Sequence, residues 1–175
     1  MRMKLIFGLV LSLGMMAGAA MPTPEHTMPA PKAGSQEFEM VKGLAGTWKG
    51  TAQSGSEAVK EAAVEYKVTS NGSVVVETLF PGTPHEMVSI YHDDKNGKLT
   101  MTHYCALGNQ PQLDLQKSEG GLLELGMSPA NAIPSTEDHM DSLKLAIKDG
   151  ELKQTWQCLQ SGKPGEPTVI DVKKV

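Results

Sequence analysis

Arginine is almost absent from this chain: Arg2 is the only one, and every other basic residue is a lysine. Lysine lacks the planar fork with which arginine binds phosphate, carboxylate or guanine through two hydrogen bonds. The chain also has more acid than base, with 20 Asp and Glu against 16 Lys and Arg. Because an acidic chain repels nucleic acid and anionic membrane surfaces, the sequence predicts no nucleic-acid partner.

Cysteine, catalytic motifs and long apolar runs are also scarce. The chain has two cysteines, and its His and Cys residues never stand at a compact metal-ligand spacing such as C-x-x-C. It has no G-x-S-x-G motif and no phosphate-binding loop, so we assign no catalytic residue, metal ligand or cofactor. Beyond the first 20 residues, no stretch approaches the roughly 20 apolar residues of a membrane span. We expect no integral membrane segment in the mature chain.

Residues 1–20 have the three parts of a cleavable signal peptide. Arg2 and Lys4 precede an uncharged apolar run, and small residues lead up to Ala20. Cleavage removes both of these basic residues and leaves 155 residues with 14 lysines against 20 acids, a net charge of −6. The sequence therefore predicts an exported protein, periplasmic or secreted.

The mature chain divides into a tether and one domain. Residues 21–35 hold four prolines and no periodic apolar pattern, which predicts a flexible Pro-rich tether. Residues 36–175 begin with Phe38, Val41 and Leu44 at helical spacing, which predicts a short helix that Gly46 ends. About ten strands with hairpin-type turns follow, for example Glu61 to Thr69. We predict an all-β fold, an up-and-down antiparallel β-barrel of about ten strands, with a β-sandwich as the competing architecture.

Three motifs carry a resemblance to known proteins. Gly46-Thr47-Trp48, between a short helix and the first strand, resembles the Gly-x-Trp signature of lipocalins and other calycins. The stretches 77–87 and 101–111 look like those of an uncharacterised bacterial family of lipocalin-like barrels. The resemblance implies a calycin-type barrel in which Gly46 and Trp48 are structural, and it implies no established activity. Lipocalins usually stack a late arginine on this tryptophan; here Lys173 or Lys174 has to take its place.

Strand alternation supplies the candidate site. From Leu99 to Cys105, the more apolar set of alternate residues includes Met101, His103 and Cys105, so we expect these three side chains to face inward. The same alternation places Trp156 and Cys158 on one face of a later strand. An apolar interior with a few polar groups is typical of a small-molecule site, although small barrels are also filled by side chains. The predicted ligand-binding residues are Met101, His103, Tyr104, Cys105, Asn109 and Trp156.

Two further interpretations stay open at this stage. Cys105 and Cys158 form either a disulfide, which export permits, or two buried free thiols. The function best supported is non-enzymatic binding of a small apolar or amphipathic ligand inside the barrel. The alternative is a small exported enzyme, or a redox or haem protein, that uses His103 and Cys105.

Overall fold

The computed structural model describes residues 29–31, 33–131 and 133–175. The predicted signal peptide and residues 21–28 of the predicted tether lie outside the described residues, so both assignments stay predictions.

In the part of the chain that the structure describes, one short α-helix, α1 (Gln36–Lys42), precedes the strands. The Ser35 hydroxyl begins it by accepting a hydrogen bond from the Phe38 amide at 3.0 Å. Gly43 caps the helix, so it ends earlier than the sequence predicts. Phe38 and Val41 are buried, as their spacing indicates. Within the described ranges, no helix could cross a membrane.

The strands form a closed antiparallel barrel, which confirms the predicted fold class. Their bounds are β1 (Gly46–Ser54), β2 (Glu57–Thr69), β3 (Val74–Leu79), β4 (Met87–Asp93), β5 (Leu99–Tyr104), β6 (Gln112–Glu119), β7 (Leu122–Met127), β8 (His139–Lys148), β9 (Glu151–Gln160), β10 (Lys163–Pro164) and β11 (Thr168–Lys174). From β1 to β9 each strand pairs with the next, and β11 joins β9 to β1. β10 is a two-residue strand paired with the end of β9. The barrel therefore has ten strands and is consistent with a lipocalin-like fold.

A β-bulge in β2 divides the barrel wall into two parts. Gly50 pairs with Ala62 but Ala52 pairs with Val59, so β2 has one residue more than β1 between these pairs. Side-chain alternation reverses at the extra residue, because neighbouring residues of a strand point to opposite faces. The buried side chains of β2 are Ala62, Val64 and Tyr66, whereas Glu57, Val59 and Glu61 line the wall nearer the end of β1. The predicted strand began only at Glu61, because the bulge interrupts the alternation there.

The end of the barrel where β1 begins is closed by α1 and Trp48. The Trp48 indole donates a hydrogen bond to the Leu44 carbonyl at 2.7 Å, which ties the ring to the chain that follows the helix. Lys174 Nζ lies 5.6 Å from the centre of the Trp48 ring, so of the two lysines considered from the sequence Lys174 is the one found over this tryptophan. The Ser35 hydroxyl also donates to the Asp93 carboxylate at 2.7 Å, which fastens the start of α1 to the end of β4.

Side chains fill the half of the barrel next to this end. The fully buried side chains there include Tyr91, Leu99, Met101, Leu113, Leu123, Leu125, Leu143, Leu145 and Leu152. The burial of these apolar side chains stabilises the fold. This packing leaves the opposite end, where β1 ends and β2 begins, as the place for any cavity.

The closure by Trp48 can be tested by substitution. Trp48→Phe removes the indole N–H and leaves the Leu44 carbonyl without its donor, so we expect it to lower the free energy of unfolding by about 1–3 kcal/mol. Urea unfolding followed by circular dichroism measures this value. Tyr104→Phe is the matched control, since Tyr104 is exposed and its change should stay within about 0.5 kcal/mol. Equal midpoints for the two variants would contradict the assignment.

Candidate ligand-binding site

Four polar side chains form a row across four adjacent strands. Tyr66 of β2 pairs with Glu77 of β3, Glu77 pairs with Ser89 of β4, and Ser89 pairs with His103 of β5. All four are buried, although each lies on a strand whose other inward residues are mostly apolar. We call these four residues the polar rung.

The centre of the polar rung is the Glu77 carboxylate. Tyr66 donates its hydroxyl to Oε1 at 2.6 Å, and Tyr91 donates its hydroxyl to Oε2 at 2.8 Å. Gln154 donates its amide to Oε1 at 2.6 Å from β9, on the other side of the barrel. Because a carboxylate only accepts hydrogen bonds, this set of donors is suited to the ionised form of Glu77.

The orientation of Gln154 follows from its neighbour Trp156. The Trp156 indole can only donate, and it donates to Gln154 Oε1 at 2.8 Å. The Gln154 amide nitrogen must therefore face the polar rung, where it donates to the Tyr66 hydroxyl at 2.7 Å as well as to Glu77. This chain of contacts connects β9 to β2 and β3 through the interior.

Burial and hydrogen bonding act on the pKa of Glu77 in opposite directions. Burial raises the pKa of this carboxyl, and the hydrogen bonds from Tyr66, Tyr91 and Gln154 lower it; burial has the larger effect. The pKa values of Tyr66 and Tyr91 are raised well above the usual value for tyrosine, first by burial and then by the charge of Glu77. Both tyrosines therefore stay protonated and act as donors.

His103 ends the polar rung. Its Nδ1 lies 3.1 Å from the Ser89 hydroxyl, and its ring packs against Trp156 with a centroid separation of 4.7 Å. The side chain is fully buried, and burial lowers the pKa of His103 to about 4, so the ring is neutral at pH 7. Among the residues that the structure describes, Nε2 has no hydrogen-bond partner.

A pocket of about 370 Å³ opens at the end of the barrel opposite α1. His103 and Trp156 form part of its wall. The apolar part of the wall comprises Ala52, Val59, Ala63, Leu79, Phe80, Pro81, Met87, Met140 and Ile170. The polar part comprises Gln53, Ser54, Glu57, Glu61, Thr83, His85 and Thr168. A pocket of this size with a largely apolar wall and a few polar groups is typical of small-molecule sites.

The predicted ligand-binding residues occupy different places. His103 and Trp156 lie together in the pocket wall, and Met101 is fully buried in the same face of β5. Tyr104 is 46% exposed on β5, beside the inward His103. Neither Tyr104 nor Cys105 is among the described residues that line the pocket. The ligand-binding role of all these residues stays a prediction.

Asn109, the sixth predicted residue, holds a loop in place. It lies between β5 and β6, and its amide donates to the Asp138 carbonyl at 2.7 Å and to the Glu137 carboxylate at 3.2 Å. The loop after β5 therefore leans on the segment that leads into β8. Asn109 is not among the described residues that line the pocket.

The two cysteines are reduced in the structure and both are half-buried. Burial, followed by the charge of Cys105, raises the pKa of the Cys158 thiol. Cys105 follows the last residue of β5 and Cys158 lies near the end of β9, so both are at the end of the barrel opposite α1. The predicted disulfide stays a prediction.

The sequence predicts only part of this arrangement. Strand alternation indicates that His103 and Gln154 face inward, but it does not show that Glu77 and Ser89 lie side by side. The register of β3, β4 and β5 is what places them side by side.

Among the described residues, no group of three or more His, Cys, Asp or Glu side chains is arranged to hold a metal ion.

The fold and site together define a class: a ten-stranded antiparallel barrel with one end closed and a ligand-sized pocket at the other. Comparison with known proteins adds no closer assignment. No protein-family model matches the chain, and no curated protein matches it.

The role of Glu77 as an acceptor can be tested with its amide. Glu77→Gln places an NH₂ group opposite donors that cannot pair with it, so we expect the free energy of unfolding to fall by about 1–3 kcal/mol. Glu124→Gln is the matched control, because it removes only a surface ion pair with Lys144 and should change stability by less than about 1 kcal/mol. If Glu77→Gln is as stable as the wild type in urea, the carboxylate is not held as described.

The lowered pKa of His103 predicts a loss of stability in acid. Between pH 6.5 and pH 4 the unfolded chain binds a proton at this residue that the folded chain does not, so acid favours unfolding. Lowering the pH from 7 to 5 should reduce the free energy of unfolding by about 2 kcal/mol through this group. The measurement is urea unfolding at both pH values in the wild type and in His103→Gln, which lacks this titration.

The comparison with His103→Gln is needed because Glu77 changes the free energy of unfolding with pH in the opposite direction. A raised carboxyl pKa stabilises the folded chain as the pH falls, and it does so in both proteins. The difference between wild type and His103→Gln therefore isolates His103. His85→Gln controls for the loss of an imidazole as such. The same pH dependence in the wild type and in His103→Gln would show that His103 titrates normally.

Proposed function

We propose that this protein is an exported binding protein that takes a small apolar or amphipathic molecule into the open end of its barrel. The observation that carries the proposal is the pocket of about 370 Å³, with an apolar wall and His103 within it. The pattern of residues 1–20 supports export, and the barrel fold is compatible with ligand binding. The half of the barrel next to α1 is filled, so the ligand occupies only the opposite half.

The barrel has a filled core at one end and an open pocket at the other, and this arrangement supports ligand binding in the pocket. Trp48, α1 and the layer of leucines give the barrel a core that does not need the pocket to be filled. The mouth of the pocket is formed by loop and strand-end residues such as Ser54, Pro81 and Thr83. Residues at such positions carry ligand contacts more often than residues in the middle of a wall.

The alternative function, an enzyme or a redox or haem protein that uses His103 with Cys105, has less support. The two residues are two positions apart in sequence, but only His103 is among the described residues that line the pocket. A reaction that needs both side chains would require them in one cavity. Binding through His103 alone needs no such pairing.

Binding is tested with the apolar dye N-phenyl-1-naphthylamine, whose fluorescence rises when it leaves water. We expect saturable fluorescence enhancement with the wild type. Ala52→Phe projects a ring into the pocket and should weaken dye binding by at least about 10-fold, or about 1.4 kcal/mol. Thr51→Phe is the matched control, since Thr51 is the exposed neighbour on β1 and is not among the described pocket residues.

The outcomes distinguish dye binding in the pocket from dye binding on the protein surface. Dye bound equally by Ala52→Phe and Thr51→Phe would place it elsewhere on the protein. The absence of any saturable binding by the wild type would count against the proposed function itself. Circular dichroism of both variants shows whether the barrel is intact.

A further inference from the structure

We propose that Cys105 and Cys158 form a disulfide across the open end of the barrel, and that this bond fixes the part of the pocket wall made by His103 and Trp156. Both thiols are free in the structure, so the proposal concerns an oxidised form of the same fold. The bond itself does not depend on the proposed function. Only its effect on ligand binding rests on that function, because it concerns the same pocket.

The side chains that precede the two cysteines already touch across the barrel interior. β5 and β9 are not neighbours in the sheet, yet the ring centroids of His103 and Trp156 lie 4.7 Å apart. The two strands run in the same direction, because every strand from β5 to β9 is antiparallel to the next. A step of two residues towards the open end therefore moves along both strands together, by about 7 Å. It leads from His103 to Cys105 and from Trp156 to Cys158.

Both cysteines keep the inward orientation of these rings. Cys105 follows β5 and continues its ladder, since its amide donates to the Asn109 carbonyl at 3.1 Å. Alternate residues of an extended strand share a face, so Cys105 points the same way as His103. Cys158 pairs with Met140 of β8, which lines the pocket, and paired residues also share a face of the sheet. The two thiols therefore face each other from opposite sides of one gap.

A chain of hydrogen bonds holds the two cysteine-bearing segments together. Asn109, whose carbonyl accepts from Cys105, donates its side-chain amide to the Asp138 carbonyl at 2.7 Å. Asp138 in turn accepts through Oδ1 from the Ser161 amide at 2.7 Å, just beyond the end of β9. The loop that follows Cys105 is thus fastened beside the strand end that carries Cys158. A disulfide requires Cα atoms within about 7 Å, and this fastening keeps the two segments from separating.

The bond forms by thiol–disulfide exchange with an oxidant that is itself a disulfide, such as oxidised glutathione. The thiolate of one cysteine attacks a sulfur of the oxidant and expels one thiol, which leaves a mixed disulfide. The thiolate of the other cysteine then attacks the protein sulfur of this mixed disulfide and expels the second thiol. The cysteines lose two electrons and two protons, and the oxidant takes them up as two thiols. Export, which residues 1–20 predict, places the protein where such oxidants prevail.

The bond adjoins the pocket wall. His103 and Trp156 are each two residues from a bonded cysteine, and Met140 is the cross-strand partner of Cys158. A covalent link between β5 and β9 limits the movement of these three pocket side chains relative to one another. A wall that is already fixed loses less conformational freedom when a ligand binds, so the oxidised protein binds more tightly. The link also closes a long loop of the chain, which stabilises the fold.

The bond is tested on the wild type treated with oxidised glutathione and, separately, with dithiothreitol. We expect the oxidised protein to migrate as a single chain on a denaturing non-reducing gel and to yield one cross-linked peptide that contains both cysteines. Its Tm should exceed that of the reduced protein by about 5 °C or more. Cys105→Ser and Cys158→Ser are the matched controls, because neither variant can close the bond and the Tm of each should be the same after both treatments.

The effect on the pocket is measured with N-phenyl-1-naphthylamine. The oxidised wild type should bind the dye at least about threefold more tightly than the reduced wild type, or about 0.65 kcal/mol. The two serine variants should bind it equally after both treatments, with the affinity of the reduced wild type. Neither cysteine is among the described residues that line the pocket, so serine at these positions leaves its lining unchanged.

The wild-type comparison does not depend on the folding of any variant, and four results would overturn the inference. They are two thiols that still react with iodoacetamide after oxidation, disulfides only between chains, a persistent mixed disulfide with glutathione, and an oxidised protein whose Tm or dye affinity equals that of the reduced protein. Failure of the dye to bind in either state would instead reject the proposed function. Peptide mapping and Tm would then still decide whether the bond forms.

Discussion

The interior of this barrel depends on one buried carboxylate. Glu77 is fully buried in β3, and an ionised group at such a position is costly unless its oxygens are hydrogen-bonded. Its partners come from β2, β4 and β9, so the bonds that offset this cost also link strands that are far apart in sequence. A shift of register by one residue would turn Glu77 outward and leave the donors unpaired. The carboxylate therefore selects one register for this part of the wall.

The same carboxylate organises the interior beside the pocket. Tyr66, Tyr91 and Gln154 all donate to it. Across the sheet Glu77 pairs with Ser89, whose hydroxyl lies 3.1 Å from His103 Nδ1, so the contacts that position His103 begin two strands away, on β3. Trp156 is constrained in a similar way through Gln154, which leaves its indole as a flat apolar surface beside His103.

The parts of this arrangement that depend on local pattern were predictable from sequence, and those that depend on register were not. Alternation identified the inward face of β5, and so placed His103 and Met101 inside the barrel. Turn residues separated ten strands at nearly the observed bounds. Glu77 was missed because a charged residue is not expected inside a barrel, and only the strand register places it beside Tyr66 and Ser89. The start of β2 was missed because a bulge reverses the alternation, which makes Glu57 and Val59 look irregular.

The bulge also explains how one barrel can be packed at one end and open at the other. Below it, Ala62, Val64 and Tyr66 continue the filled core; above it, the reversed alternation turns Val59 and the two glutamates towards the cavity. Large apolar side chains there would fill the mouth, whereas glutamates prefer contact with water and keep it hydrated. On the proposed function, a ligand that enters this end replaces water at an apolar wall, while the filled core on the other side of the bulge keeps its packing.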